Sequence, residues 1–295
     1  MFTANNRIYY LYVFPLVTVS FMLISGCGDT GMRAPSEIVD VAVYTGSGAW
    51  DASVTASLAA LEQAGYSTGR LDLPALLSGG LDGFRVLLIP GGDPRDYSTD
   101  LGPVGRGRIR GFVFSGGGFI GLGGGAAVAD ADSGSWSGIG LFSGDARWPI
   151  ERIAPYPEYT ITEVNLVDPA HPVGRGGRES YWTLYRWGPE FIFPETHSWT
   201  VETPFYSIKM AGERNSIEVV DVNETDFVVY RYALTETPAA VTLEFGAGRV
   251  FLCGFQPEIE ENDPRDGTDF GSELNDPDTE WDIIERVVRF CLWEI

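Results

Sequence analysis

Attack on an amide or ester needs a nucleophile held on a strained turn, a base beside it, and backbone donors for the oxyanion. One stretch of this 295-residue chain has the shape to hold such a nucleophile: Gly116-Gly117-Gly118-Phe119-Ile120-Gly121-Leu122-Gly123-Gly124-Gly125-Ala126-Ala127. Its order predicts a helix end, a short apolar strand over 119–122, a sharp turn, and a helix opening in small residues. Gly121-Leu122-Gly123-Gly124-Gly125 fits a G-x-nucleophile-x-G frame. Gly123 nevertheless stands where Cys or Ser belongs, and glycine has no side chain to attack with. A glycine-rich turn kept for packing alone is the competing reading.

The remaining chemistry-bearing residues are few. Lys209 is the sole lysine, in an unremarkable strand-like segment, which gives Schiff-base chemistry a single weak candidate. The two histidines, His171 in Asp168-Pro169-Ala170-His171-Pro172 and His197 in an irregular segment, are too few for a histidine metal site. His171 reads as structural, and neither a metal nor a cofactor is expected. Glu260, Glu261, Asp263, Asp266 and Asp269 could offer oxygens to calcium, but they lack the glycine and closing glutamate of an EF-hand. The acidic, Pro/Gly-punctuated span 258–278 reads instead as a solvated loop. Trp182, Trp187 and Trp199 could stack on sugars, and read as core or rim. Ser47 and Ser115 are the hydroxyls nearest the glycine loops, neither with a base in sight.

The chain must position these residues in a substantial core, and its length and 13% aromatic content allow one. The net charge of −21 repels nucleic acid and anionic membrane surfaces, so polyanionic partners are excluded. Residues 1–26 read as an address: Arg7, an apolar run over 11–24 interrupted by Pro15, then Ile24-Ser25-Gly26-Cys27. That closing sequence resembles the bacterial lipoprotein box, which implies a diacylated Cys27 as the new N-terminus and an extracytoplasmic protein anchored in the cell envelope. An ordinary signal peptide or an uncleaved anchor is the alternative. Residues 27–37 form a tether. Cys253 and Cys291 fit no metal spacing and read as two buried thiols.

From residue 38 onward the sequence reads as one domain, 38–295. Strands are predicted over 38–44, 66–71, 84–89 and 119–122, and helices from Asp51 or Ser53 to Ala64 and over 106–115. Near-continuous apolar strands alternating with helices predict a parallel sheet covered on both faces. Ligands of such sheets sit outside the carboxyl ends of the strands, where the loops at Gly46-Ser47-Gly48, Gly91-Gly92 and Gly123-Gly124-Gly125 all fall. The second half is β-rich, with strands over 159–167, 181–187, 205–209, 217–222, 227–234, 240–245 and 249–254, and a closing helix over 279–293.

Val41-Ala42-Val43-Tyr44-Thr45-Gly46-Ser47-Gly48, Ile89-Pro90-Gly91-Gly92-Asp93 and the glycine stretch together resemble the class I glutamine amidotransferase-like superfamily. The closer likeness is to the N-terminal domain of biotin–protein ligases. It continues through Trp187-Gly188-Pro189-Glu190-Phe191 and Arg249-Val250-Phe251-Leu252-Cys253-Gly254-Phe255-Gln256-Pro257-Glu258. The resemblance implies an α/β, flavodoxin-like three-layer sandwich with a mostly parallel central sheet and β-rich additions. It also implies a Cys–His–Glu triad whose positions match Gly123, Gln256 and Glu258. Nucleophile and base are thus replaced, and Gln cannot accept a proton near neutral pH. The backbone donors that would hold an oxyanion match Gly91, Gly92 and Gly124. Gly105-Arg106-Gly107-Arg108 looks like the biotin ligase catalytic signature, but no catalytic domain follows it.

The leading expectation is therefore a non-catalytic, lipid-anchored binding module. Its pocket of Gly46, Ser47, Gly91, Gly92, Gly123, Gly124, Gln256 and Glu258 would hold a small polar ligand or an envelope protein. A hydrolase with another nucleophile, or an envelope protein with a vestigial pocket, remain the alternatives.

Overall fold

The computed structural model describes residues 38–131, 134–193, 207–210, 217–220, 227–261, 263–276 and 278–294, with 207–210 and 217–220 described by their backbone. The leader, Cys27, His197 and Trp199 lie outside the described residues, and Glu37–Ile295 form one compact unit. Among the described residues no helix is long and apolar enough to cross a membrane.

The first half alternates as its apolar runs require. Strand β1 (Val39–Tyr44) leads to helix α1 (Asp51–Gln63), β2 (Thr68–Leu71), α2 (Leu73–Leu77) and β3 (Phe84–Ile89). Helix α3 (Pro94–Phe114), β4 (Gly118–Leu122) and the one-turn α4 (Gly124–Ala127) follow. Helix α3 begins well before the predicted 106. Asp93 caps it by accepting from the Arg95 amide at 2.9 Å, and the two helical pieces meet at a break where Gly102 has φ 54° and Pro103 follows. The Gly-Arg-Gly-Arg run lies inside this helix.

Short strands then take over: β5 (Asp145–Arg147), β6 (Thr160–Leu166), β7 (Ser180–Tyr185), β8 (Glu190–Ile192), β9 (Ser207–Met210), β10 (Ile217–Val220), β11 (Phe227–Tyr232), β12 (Pro238–Phe245) and β13 (Gly248–Cys253). Helix α5 (Trp281–Cys291) closes the chain. A nine-stranded sheet runs β2-β1-β3-β4-β13-β12-β11-β6-β7. Strands β2, β1, β3, β4 and β13 are parallel, and β12, β11, β6 and β7 extend them antiparallel. The antiparallel additions predicted for the second half thus join the central sheet itself. Two small pairs, β5–β8 and β9–β10, stand apart from it.

The two faces are sealed separately. Val41, Val43, Ile120 and Leu122 pack with α1 and α5 through Leu61, Ile284 and Val287. Ala42, Leu87, Ile89 and Phe119 pack on the other face with α2 and α3 through Leu76, Ile109 and Val113. Both faces being covered explains why β4 and β13 are buried at every position and apolar almost throughout. Cys253 and Cys291 are buried free thiols, Cys253 donating to the Phe255 carbonyl and Cys291 to that of Phe119. His171 is structural: its Nδ1 accepts from the Val173 amide at 3.1 Å, and its Nε2 pairs with Thr242 at 3.1 Å.

The span 258–278 corrects the sequence expectation. Glu258, Glu260, Glu261, Asp266 and Asp276 are all buried, as is Glu280 at the start of α5. Asp266 accepts from the amides of Glu260 and Thr268, and Glu260 from the Thr279 hydroxyl and Arg265. The chain supplies these two carboxylates' partners from within and beside the span, which allows a polar segment to pack inside. Local composition carries no trace of that.

Candidate functional site

The site forms where β1, β3 and β4 end together. Gly123 leaves β4 with φ 51° and ψ −116°, a conformation that side chains rarely adopt and that a strand-to-helix elbow requires. Its amide donates to the Cys253 carbonyl at 2.8 Å, tying the elbow to the end of β13. The β1 and β3 loops are laced together: Trp50 N donates to Gly91 O at 2.8 Å, and Asp93 N to Gly48 O at 3.1 Å. Glycine is needed for this proximity, since a Cβ on Gly124 would stand 1.9 Å from Gly92 O. The amides of Gly92 and Gly124 donate to no group of the described chain.

Gln256 follows the end of β13 and is 1% exposed. Its backbone amide donates to Leu184 O at 2.9 Å. Its side chain then pairs with the Arg186 backbone twice, Oε1 accepting from Arg186 N at 2.7 Å and Nε2 donating to Arg186 O at 3.0 Å. Held this way, Nε2 lies 2.5 Å from where a Cβ on Gly123 would be. The place of a nucleophile's side chain is therefore filled by Gln256.

Glu258 turns away from that pair. It is fully buried, and its Oε1 accepts from Ser53 Oγ at 2.5 Å, while Ser53 Oγ accepts from the Gly91 amide at 2.7 Å. Oε2 has no partner. Burial pushes the carboxyl up to about 8, so it is protonated at neutral pH. Of the three candidate donors for an oxyanion, the Gly91 amide is thus occupied, and the Gly92 and Gly124 amides are not. Ser53 is itself fully buried, with its oxygen committed on both sides, and offers no approach for a substrate.

The sequence reading missed Ser53 as a partner and placed it as a helix cap. The N-cap position is Trp50, and no side chain caps the helix. It also missed Arg186. This guanidinium lies 4.1 Å from the Trp50 ring centre, 3.8 Å from that of Trp187 and 5.7 Å from that of Phe270. Tyr156 packs on Trp187, and Tyr159 on Phe270, each at 4.5 Å. Trp187 holds φ 55°, rare for a bulky residue, to present its ring there. Burial depresses the Arg186 pKa to about 10, and no carboxylate pairs with it among the described residues. Trp187 is thereby assigned to the rim, whereas Trp182 is half exposed.

Other predicted members stand apart. Gly46 faces the Tyr44–Asp100 hydrogen bond, from whose hydroxyl a Cβ would be 2.3 Å away, and Ser47 is exposed. Ser115 lies at the opposite end of the sheet, before β4. There it lines a cavity of about 510 Å³ with Phe84, Arg85 and Trp293. That cavity is remote from the glycine loops.

Residues 39–132 match the family described as "Biotin-protein ligase, N terminal". Among solved structures, the chain is similar to a glutamine amidotransferase from Thermotoga maritima, at 10% identity and TM-score 0.52, covering 86% of this chain and 98% of that one. It is also similar to a ThuA-like protein from Bacteroides uniformis, at 12% identity and TM-score 0.52, covering 90% and 95%. A third is a Thermoplasma acidophilum protein assigned by likeness to GMP synthase, at 14% identity and TM-score 0.51, covering 87% and 96%. No curated protein matches the sequence. The fold is accordingly α/β and class I glutamine amidotransferase-like, with a mostly parallel central sheet and antiparallel additions, as the motifs implied.

Proposed function

We propose that this amidotransferase-like domain is a non-catalytic binding module, tethered to the bacterial cell envelope on its extracytoplasmic side through an acylated Cys27. Its ligand is a small acid held at the carboxyl ends of the parallel strands. The observation that carries the reading is the seating of Gln256: its amide is clamped on the Arg186 backbone and fills the space beside Gly123. Neither position offers a nucleophile or a base. Glu258, the third triad position, holds the Ser53 hydroxyl instead.

What remains at the site suits an anion. The Gly92 and Gly124 amides are unoccupied donors, and Arg186 is an aromatic-stacked cation beside the Pro-Gly-Gly loop that lacks a carboxylate partner. A stacked guanidinium is pre-organised for bidentate pairing with a carboxylate. The ligand would supply the missing partner.

Mass spectrometry of small molecules released from the purified chain, paired with an ammonia-release assay on glutamine, tests this. A released carboxylic acid, lost in Arg186→Met, together with no glutamine turnover, is the expected result. Turnover abolished by Glu258→Gln would overturn the non-catalytic reading. A chain that releases nothing and binds no small acid in calorimetry would leave only the vestigial pocket.

A further inference from the structure

Remote from the glycine loops in sequence, three carboxylates converge in the interior. Glu261 is 4% exposed, Asp276 4% and Glu280 0%, and one oxygen from each lies within 4.8 Å of the others. Their neighbours are accounted for. Glu260 accepts from Thr279 and Arg265, and Asp266 from Glu260 N, Thr268 N and the Thr268 hydroxyl. Asp276 Oδ1 accepts from the Asp278 amide at 3.0 Å.

The converging oxygens have no such partners. Both oxygens of Glu261, both of Glu280 and Oδ2 of Asp276 are buried without a hydrogen bond. The nearest cation, Arg178, is 3.8 Å from Glu280 Oε1, beyond hydrogen-bonding range. It is committed to Asp278 at 2.8 Å and to the Thr279 carbonyl. Buried carboxylates left without donors are costly unless a cation joins them.

We propose that Glu261, Asp276 and Glu280 bind one calcium ion. The set is all oxygen, with no histidine or cysteine, which selects a hard cation over zinc. Ligand oxygens about 2.4 Å from calcium are at most about 4.8 Å apart across it, which matches the observed spread. Three carboxylates, each able to chelate through two oxygens, can approach calcium's six to eight ligands in a buried site. Magnesium instead demands a tight octahedron and keeps its waters. The ion would fasten the segment that follows Gln256 and Glu258 to the first turn of α5. It is independent of what the glycine loops bind.

The test uses the whole chain, stripped with chelator and then titrated with calcium or magnesium chloride. One calcium per chain by elemental analysis is expected, with a rise in Tm of about 5–10 °C at a hundredfold excess over Kd. Magnesium at the same concentration should leave Tm nearly unmoved. Glu261→Gln and Asp276→Asn should each abolish the calcium response, whereas Asp269→Asn, an exposed carboxylate of the same segment, should keep it. If Glu261→Gln folds poorly, calorimetry on the stripped wild-type chain reads the site directly. Equal shifts with both metals, or no calcium heat at millimolar concentration, would overturn the proposal.

Discussion

The side-chain amide of Gln256 stands 2.5 Å from the point that a Cβ on Gly123 would occupy, and two hydrogen bonds to the Arg186 backbone hold it there. The two degenerate positions are therefore coupled. A side chain cannot return at one without displacing the other.

Gly123→Cys should accordingly not be the gentle change that a family resemblance suggests. The left-handed φ and the displaced glutamine together should cost about 1–3 kcal/mol, read by chemical denaturation. Adding Gln256→Ala should recover part of that loss, since the crowding disappears. A Gly123→Cys variant as stable as wild type would show that Gln256 moves aside freely. Neither variant should release ammonia from glutamine.

Ser53 and Glu258 predict a pH signature. The folded carboxyl titrates near 8 because it is buried, against about 4.5 when unfolded. The native state therefore binds the extra proton between those values, and stability falls as pH rises from about 4.5 to 8. Glu258→Gln should match wild type in acid and exceed it increasingly toward pH 8, by up to about 5 kcal/mol at 1.36 kcal/mol per unit. Parallel stability–pH curves for the two proteins would contradict the assignment. Ser53→Ala should cost about 1–3 kcal/mol at any pH, because the Gly91 amide loses its acceptor.

Arg186 reports ligand through its neighbours. Trp50 and Trp187 contact the guanidinium, so binding of a small acid should shift their fluorescence. Arg186→Met should remain folded and abolish the shift. Arg186→Lys should fail to restore it, because an ammonium cannot stack and fork as a guanidinium does. A full response from the methionine variant would place the ligand elsewhere.

The address is tested at Cys27. Mature wild-type protein, 295 − 26 = 269 residues, should fractionate with membranes and carry a lipid-modified N-terminus. Cys27→Ser should appear in the soluble fraction or as an uncleaved precursor. Membrane association unchanged by that substitution would remove the acyl anchor from the reading.

Much of this protein is determined by residue order alone. The alternation of apolar strands with helices forces a doubly covered sheet, because runs such as Val86-Leu87-Leu88-Ile89 have no polar face to leave in water. The elbow follows from its glycines, and the loss of nucleophile and base is written at Gly123 and Gln256. These are local properties, fixed by side-chain type and period. Tertiary structure alone decided the rest. Gln256 grips a backbone 70 residues away, and Ser53 meets Glu258 across 205 residues. The acidic segment is buried because distant elements enclose it and several of its own groups satisfy one another. Whether a charged residue faces water depends on what folds over it, and composition carries no record of that.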